Sequence, residues 1–203
     1  MISKAQTRRI GGNNLLNHQP RLTSMEKGLL RWAMAEPGDK VLDVSVSSGL
    51  MLEYLQRRMD CEVCGMSDDM ECVRAARSRL QNADVVYAGL GEIPWRDASF
   101  DSVFLRPASL SGGERDRVLC EAMRVLRPGG QLLAGVYWLP EPVRRLMDRW
   151  DEDDAPRAAR AHNRAELLAD LSAHSFTQVT WQTVDLTHGV AIGWKPETNE
   201  NEL

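Results

Sequence analysis

Two cysteines and four histidines are the side chains of this chain most able to bind a metal or to carry out redox chemistry. Cys61 and Cys64 form a C-x-x-C pair, which occurs in redox sites and as half of many zinc sites. A zinc site needs further ligands at a fitting spacing, and the sequence has neither a second C-x-x-C pair nor an H-x-x-x-H pair. The favoured interpretation is that both cysteines are buried in a strand, and we expect no metal. The histidines are scattered along the chain at His18, His162, His174 and His188.

The charge of the chain argues against a nucleic-acid partner. Its 203 residues carry 25 basic and 29 acidic side chains, a formal net charge of -4 and a pI of about 5.6. Domains that bind nucleic acid usually have a basic excess. No apolar run approaches the roughly 18 residues of a membrane helix, and the first residues are not followed by the apolar stretch of a secretory signal. We therefore expect a cytoplasmic protein that contacts neither nucleic acid nor a membrane.

Strand-like and helix-like segments alternate along most of the chain. Short apolar runs typical of buried strands are each followed by segments with helical spacing of apolar residues. This alternation predicts an α/β fold with a parallel, doubly wound sheet. Two later strands, separated by a short turn at 186–188, predict an antiparallel hairpin at the sheet edge. The predicted strands are 40–46, 61–66, 84–88, 102–105, 131–137, 176–185 and 189–194, and the helices start near Thr23 and cover 49–59, 69–80 and 112–127.

The composition divides the chain into an arm, one domain and a tail. Residues 1–22 are polar and are predicted to form a flexible N-terminal arm. The domain covers 23–195 and begins at a capping box, in which Thr23 and Glu26 satisfy the first backbone groups of a helix. Residues 196–203 are polar and are predicted to be a disordered tail.

Three stretches resemble the class I S-adenosylmethionine-dependent methyltransferases, in particular the small-molecule branch of methyltransferase type 11. The most specific one, EAMRVLRPGG at 121–130, is similar to the family's helix before strand five and its Pro-Gly-Gly turn. The stretches PGDKVLDV at 37–44 and ASFDSV at 98–103 are similar to the entries into strands one and four. The resemblance spans 26–194. It implies a Rossmann-like, seven-stranded sheet that is mostly parallel and has an antiparallel C-terminal hairpin.

The loop after the first strand is where the resemblance places the cofactor, at the carboxyl ends of strands one to four. The family pattern there is usually D-x-G-x-G-x-G, and this chain has DVSVSSG. Glycine allows a positive φ and a close approach of backbone to ligand, so replacing it changes the site. The resemblance implies that Asp43, Ser45, Ser47 and Gly49 are cofactor-binding positions, and Ser47 is the departure we expect to weaken binding most.

Two more positions depart from the family pattern. After strand two, an acidic residue usually accepts hydrogen bonds from both ribose hydroxyls. Alignment on the run SDDM at 67–70 places Gly65 at that position, followed by Met66. The acids within the run reach the ribose only if the loop rearranges, and helix capping is their simpler role. After strand three, where an aspartate often reads the adenine amine, the sequence has Leu90.

The segment after strand four faces the methyl acceptor in this family, and here it contains Arg106. A cation beside the sulfonium is repulsive unless an anionic group lies between them. Arg106 therefore indicates an acidic acceptor, or a pocket no longer built for this cofactor, or it is an ordinary surface arginine. His18, on the N-terminal arm that commonly folds over the substrate in this family, is the other catalytic candidate.

The altered contacts predict weak or lost binding of S-adenosylmethionine. Each lost hydrogen bond to a charged partner costs about 1.5–3 kcal/mol, so two losses weaken binding by about 10²–10⁴-fold. The sequence slightly favours a degenerate, non-catalytic member that acts as a binding or partner subunit, with a small molecule or another protein as its ligand. The alternative is an active S-adenosylmethionine-dependent methyltransferase with an altered glycine loop, which acts on a small metabolite, and Arg106 then points to an anionic one.

Overall fold

The computed structural model describes residues 21–106, 112–138 and 164–197. Helices and strands alternate as the sequence predicts. The helices are α1 (Ser24–Trp32), α2 (Leu50–Met59), α3 (Met70–Arg79), α4 (Gly112–Val125) and α5 (Arg164–Ala173). The strands are β1 (Lys40–Asp43), β2 (Glu62–Ser67), β3 (Asp84–Tyr87), β4 (Phe100–Leu105), β5 (Leu126–Tyr137), β6 (Thr177–Thr183) and β7 (His188–Trp194).

A seven-stranded sheet with the order β3-β2-β1-β4-β5-β7-β6 organises the molecule. The first five strands in this order pair in parallel, and β7 pairs antiparallel with both β5 and β6. The strand order reverses direction at β1 and β4, which is the switch point of a doubly wound sheet. The predicted fold class is therefore confirmed, including the antiparallel hairpin at the edge.

Each face of the sheet carries its own apolar cluster, because parallel strands are covered by helices on both sides. One cluster includes Leu42, Val103 and Leu132 and continues onto α4 and α5. The other includes Val41, Phe104 and Leu133 and continues onto α1, α2 and α3. Adjacent residues of one strand thus belong to opposite clusters. This alternation shows on which face of the sheet the side chain of any other residue in that strand lies.

Several strand boundaries differ from the prediction. β1 ends at Asp43, three residues early, although the N–H groups of Val44 and Val46 still bond to the neighbouring strands. β5 starts directly after α4, so the Pro-Gly-Gly turn lies inside its assigned range, with Gly129 at φ 75°. β6 ends at Thr183, and His188 is the first residue of β7 rather than part of the turn.

Several predicted segments lie outside the described residues. These are most of the N-terminal arm with His18 and the end of the tail. The capping box at the start of α1 is confirmed: the Thr23 hydroxyl accepts from the Glu26 N–H, and Glu26 accepts from the Thr23 N–H. Within the described ranges, no helix combines the length and the apolar character needed to cross a bilayer.

Candidate functional site

The carboxyl end of β1 brings Asp43 against Arg106. Asp43 is the last residue of β1, only 1% exposed, and it pairs in register with Phe104 of β4. Arg106 follows the end of β4, so both residues stand at the same edge of the sheet. Arg106 Nη2 lies 2.7 Å from Asp43 Oδ2 and donates to the Ser45 carbonyl oxygen at 2.5 Å. The side chain of Arg106 is 16% exposed, which rules out the interpretation as an ordinary surface arginine.

A second carboxylate approaches the same guanidinium from α1. Glu26 Oε1 lies 3.5 Å from Arg106 Nη1, and Glu26 is 4% exposed. The other oxygen of Glu26 accepts from Thr23, which makes this side chain both a helix cap and a member of the site. Sequence reasoning identified Glu26 as a cap and missed its place at the site, because the capping box already explained the residue completely.

Burial controls the protonation equilibria of this cluster. Burial raises the pKa of the Asp43 carboxyl, and the charge of Arg106 offsets part of that rise. Burial also disfavours the charged form of Arg106, but attraction to Asp43 and Glu26 outweighs it and raises the pKa of the guanidinium. Arg106 is therefore a permanent cation between two carboxyl groups.

The rest of the loop after β1 is organised by short hydrogen bonds. Asp43 Oδ1 accepts from the Ser45 N–H at 3.0 Å, and the Ser45 hydroxyl accepts from the Arg106 N–H at 3.0 Å. Ser45 thus occupies the position of a family glycine and links the loop to β4. Ser47 is exposed at the turn. Ser48 accepts from Arg79 through its backbone carbonyl, which ties the loop to α3.

Gly49 has a packing reason to be glycine. It precedes α2 with φ 75°, a backbone conformation that favours glycine. A Cβ at Gly49 would lie 2.9 Å from Ala76 Cα, so the residue also lets α2 and α3 approach closely. The backbone conformation and the helix packing together account for the retained glycine.

Gly65 lies within β2 rather than at its end. It pairs with Asp43, and a Cβ there would meet Leu52 at 3.0 Å and Val46 at 3.4 Å. The Met66 side chain is fully buried in the apolar core. Its backbone carbonyl accepts a hydrogen bond from the Val46 N–H in the loop. Neither residue therefore offers a polar side chain to a ligand.

The residue at the end of β2 is Ser67. Its hydroxyl accepts from the Asp69 N–H at 3.1 Å, and Asp69 in turn caps α3 by accepting from the Glu71 N–H at 2.8 Å. The helix-capping interpretation of Asp69 is therefore the one that the geometry supports. Asp68 is exposed beside it.

Leu90 follows β3, half-buried, and packs against the apolar cluster. The loop that carries it borders a surface pocket of about 390 Å³, lined by Gly89, Gly91, Glu92 and Arg117. Of the positions predicted to bind the cofactor, the structure brings Asp43, Ser45 and Arg106 into direct contact. Leu90 lies beyond β2, on the far side of the switch point.

The other end of the same edge carries a histidine that sequence reasoning assigned to a simple turn. His188 Nδ1 lies 2.9 Å from Asp185 Oδ1 and 3.0 Å from Oδ2. The imidazole also stacks edge-on against Tyr137, with ring centroids 5.8 Å apart. A D-x-x-H spacing across a predicted hairpin was the available signal, since a turn brings such residues together.

The C-x-x-C pair shows the properties of buried thiols. Cys61 and Cys64 are both buried and free, and burial raises the pKa of Cys64 to about 11. A low thiolate content disfavours redox and metal chemistry. Among the residues that the structure describes, no group of three or more histidine, cysteine or acidic side chains is placed to hold a metal ion.

Comparison with known proteins identifies the family. Residues 42–134 match the methyltransferase domain family. A 27-O-demethylrifamycin SV methyltransferase of Amycolatopsis mediterranei is 35% identical over 130 residues, covering 61% of this chain and 47% of that protein. Residues 42–134 thus carry a methyltransferase domain of the class I S-adenosylmethionine-dependent family. The chain spans less than half the length of the first three curated relatives it matches.

Solved structures agree with this methyltransferase fold. One similar chain comes from the complex of the Haloferax volcanii Trm112 methyltransferase activator with its methyltransferase, at a TM-score of 0.69 and 18% identity, covering 86% of this chain and 90% of that one. Another is phosphoethanolamine N-methyltransferase 2 of Haemonchus contortus in complex with S-adenosylmethionine, at a TM-score of 0.67 and 14% identity, covering 85% and 52%. At these identities the likeness concerns the fold alone.

The fit of the family's cofactor to this methyltransferase-fold site can be judged from charge. S-adenosylmethionine carries an ammonium group and a sulfonium. Asp43, Glu26 and the Ser45 carbonyl form a set of acceptors that converge on one cation, and two carboxyl groups face a single guanidinium. The residues present therefore fit the ammonium group of the cofactor once the Arg106 guanidinium has moved away from Asp43 and the Ser45 carbonyl.

Proposed function

We propose that this protein binds S-adenosylmethionine at the carboxyl edge of the sheet and transfers its methyl group to a small molecule. The observation that carries the proposal is the convergence of Asp43, Glu26 and the Ser45 carbonyl on one positive charge. Buried carboxyl groups are costly without a cation, so a site that keeps them in pairs is suited to a cationic ligand.

Arg106 is the stand-in cation of this site. Its guanidinium takes the place that the ammonium group of the cofactor would take, and its long side chain can leave that place by rotation. With the cofactor bound, Asp43 and the Ser45 carbonyl would hold its ammonium group, and the loop around Leu90 would pack on its adenine. The cofactor supplies the reactive methyl group, and the protein orients it towards the acceptor.

The acceptor is proposed to be a small molecule. The curated relative named above methylates an oxygen of a small molecule according to its name. This supports a small, hydroxyl-bearing acceptor.

A non-catalytic binding or partner subunit is the second candidate, and the same guanidinium favours it. If Arg106 never withdraws, its bonds to Asp43 and Ser45 leave no acceptor for the ammonium group. The solved methyltransferase that is bound to an activator protein supports a partner role for this fold. The departures at Ser47 and Leu90 and the serine at the end of β2 point in the same direction.

Calorimetric titration of the protein with three ligands separates the two candidates. S-adenosylmethionine and S-adenosylhomocysteine carry the charged amino-acid end, whereas methylthioadenosine has the same nucleoside and lacks that end. We expect the first two to bind in the micromolar to millimolar range, and methylthioadenosine at least ten times more weakly. No heat with either charged ligand up to millimolar concentration would favour the non-catalytic candidate.

The variant Asp43→Asn sharpens this measurement. It removes the carboxylate that is proposed to hold the ammonium group, so binding of S-adenosylhomocysteine should fall by about ten- to a hundredfold, the effect of one hydrogen bond to a charged group. Methylthioadenosine is the internal control, because general damage to the fold would weaken both ligands equally. Equal loss for both would contradict the assigned orientation.

A further inference from the structure

A histidine and an aspartate form an ordered pair at the hairpin between β6 and β7. The Asp185 carboxylate accepts from three donors of the turn: the Thr187 N–H at 2.8 Å, the Thr187 hydroxyl at 3.2 Å and the His188 N–H at 2.9 Å. These bonds hold the carboxylate in place before it meets the imidazole. Because a carboxylate only accepts, the ring nitrogen next to it, Nδ1, is the one that carries the proton.

The fixed proton on Nδ1 leaves Nε2 of His188 as a lone-pair acceptor. Within residues 21–106, 112–138 and 164–197, every hydrogen bond of the imidazole is made through Nδ1. The side chain is 30% exposed, so Nε2 is accessible to a ligand. The pKa of Asp185 is lowered to about 2. The largest cause is the hydrogen bond from the Thr187 N–H, and the next interaction that lowers it is the hydrogen bond with His188. Asp185 is therefore ionised at neutral pH.

The strand registers place this pair on the same face and edge as Arg106. Phe104 pairs with Leu133, and Tyr137 pairs with His188. Side chains alternate along a strand, so Arg106, two residues after Phe104, and Tyr137, four residues after Leu133, address the same face. Their shared face is the one that α1 covers, where Glu26 meets Arg106.

The separation between the two groups suits a small molecule. Leu105 pairs with Ala134, so β5 extends three residues further to Tyr137, about 10 Å along the strand. His188 lies two strands away from β4, about 10 Å across the sheet. Arg106 turns back towards Asp43, and Met25 of α1 lies over Gly135 of β5 on the same face, so an acceptor would have to reach both groups from the carboxyl edge.

We propose that His188 is the general base that removes a proton from a hydroxyl group of the methyl acceptor, and that Asp185 is its positioning residue. This role rests on the proposed methyl transfer. In the step, Nε2 takes the hydroxyl proton while an oxygen lone pair forms the new bond to the methyl carbon. The carbon–sulfur bond of the sulfonium breaks, its electron pair stays on sulfur, and the imidazolium later gives its proton to water.

A hydroxyl acceptor requires such a base more than an amine does. A neutral alcohol is a weak nucleophile until its proton begins to leave, and a positioned base contributes about 10²–10⁴-fold to such steps. A neutral amine already carries the lone pair that attacks. The pair at Asp185 and His188 therefore narrows the proposed acceptor to hydroxyl compounds.

The test uses a generic base probe that needs no cofactor. Nitrobenzisoxazole loses its ring proton to a base, its nitrogen–oxygen bond breaks, and the absorbance of the cyanonitrophenolate product gives the rate. We expect the full-length protein to accelerate this reaction and His188→Gln to lose about tenfold or more of the protein-dependent rate. Asp185→Asn should lose an intermediate share, because the imidazole remains but its tautomer is no longer fixed.

His174→Gln is the matched control. His174 also has Nδ1 held, by the Asp170 carbonyl at 2.7 Å, but it lies after α5 and away from the carboxyl edge. Its removal should leave the rate unchanged. A rate for His188→Gln equal to the rate of the unchanged protein would overturn the base role.

A second measurement keeps the outcome interpretable. Acylation of the histidines by diethyl pyrocarbonate, followed by mass spectrometry, reports the accessibility of Nε2 in the unchanged protein, and we expect His188 to react before His174. Slower reaction of His188 would contradict the proposal even if the glutamine variant failed to fold. Because neither assay contains S-adenosylmethionine, failure here is distinct from failure of the calorimetric titration.

Discussion

The two ends of the carboxyl edge pair the same kinds of group in opposite environments. At β1 and β4, Asp43 and Arg106 are 1% and 16% exposed, and the guanidinium is engaged on both terminal nitrogens. At the β6–β7 hairpin, Asp185 and His188 are 37% and 30% exposed, and the imidazole bonds on one side only. The first pair is a closed charge cluster. The second leaves a reactive nitrogen at the surface.

This difference teaches that burial, more than residue type, decides what a pair of charges can do. In the buried pair each partner is needed to offset the desolvation of the other. In the exposed pair water already solvates both groups, and the interaction orients them without holding the fold together. The two ends should therefore respond very differently to equivalent substitutions.

The largest effect is expected from Arg106→Met. It leaves Asp43 and Glu26 buried without a counter-charge, and such a loss costs about 3–5 kcal/mol of unfolding free energy. Denaturant unfolding at neutral pH measures it. The control is Arg74→Met, because Arg74 is 68% exposed and pairs with Glu71 on the helix surface. The variant, where it folds, should also bind S-adenosylhomocysteine more tightly, since the stand-in cation is gone.

The next effect concerns the loop that carries the buried end. Gly49→Ala should cost about 2–4 kcal/mol, from the left-handed backbone and from overpacking against Ala76. Gly38→Ala is the matched control, because Gly38 also has a positive φ, 90°, but no atom within 4 Å of its added Cβ. Thermal unfolding of both variants isolates the contact, and equal losses would show that packing against α3 is not responsible.

A smaller effect is expected at the exposed end. Asp185→Asn should cost about 1 kcal/mol at neutral pH, the net value of a few turn hydrogen bonds that the amide replaces only in part. Urea unfolding measures it. A loss as large as that of Arg106→Met would break the contrast between the two ends.

The pH dependence of that loss has a definite sign. The pKa of Asp185 is lowered to about 2 in the folded protein, from 3.8 ordinarily, chiefly by the Thr187 N–H. The folded state thus binds the proton of Asp185 less tightly than the unfolded state does. The stabilisation that the ionised Asp185 provides is complete above pH 4 and is lost as the pH falls from about 4 to about 2. The unfolding free energy of Asp185→Asn should fall less steeply across that interval than that of the unchanged protein.

The smallest effect on stability is expected from His188→Gln. The imidazole contributes one partly exposed pair and one edge-on contact with Tyr137, so its loss should cost less than about 1 kcal/mol. Thermal unfolding measures the stability of this variant, and the base-probe assay measures its remaining activity. A stable protein that has lost its probe activity would sharpen the distinction between a reactive group and a structural one.

Periodicity and capping patterns were sufficient to predict the sheet, because apolar spacing reports burial directly. Contacts between distant residues were harder to predict. Gly65 was placed at the end of β2 by aligning the start of α3, and the structure ends that strand two residues later, at Ser67. The link from Arg106 to Glu26 spans 80 residues and depends on how α1 packs on the sheet, which no local pattern reports.

The double use of Glu26 restricts how this sequence can vary. One carboxylate oxygen sets where α1 begins, and the other faces the guanidinium at the end of β4. A substitution at position 26 therefore removes the helix cap of α1 and one of the two carboxyl groups that face Arg106. A substitution at position 106 removes the cation that faces the carboxyl group of this helix cap. Close relatives of this chain should accordingly change positions 26, 43 and 106 as a group, and those that lack the arginine should show which ligand the three positions were once shaped to hold.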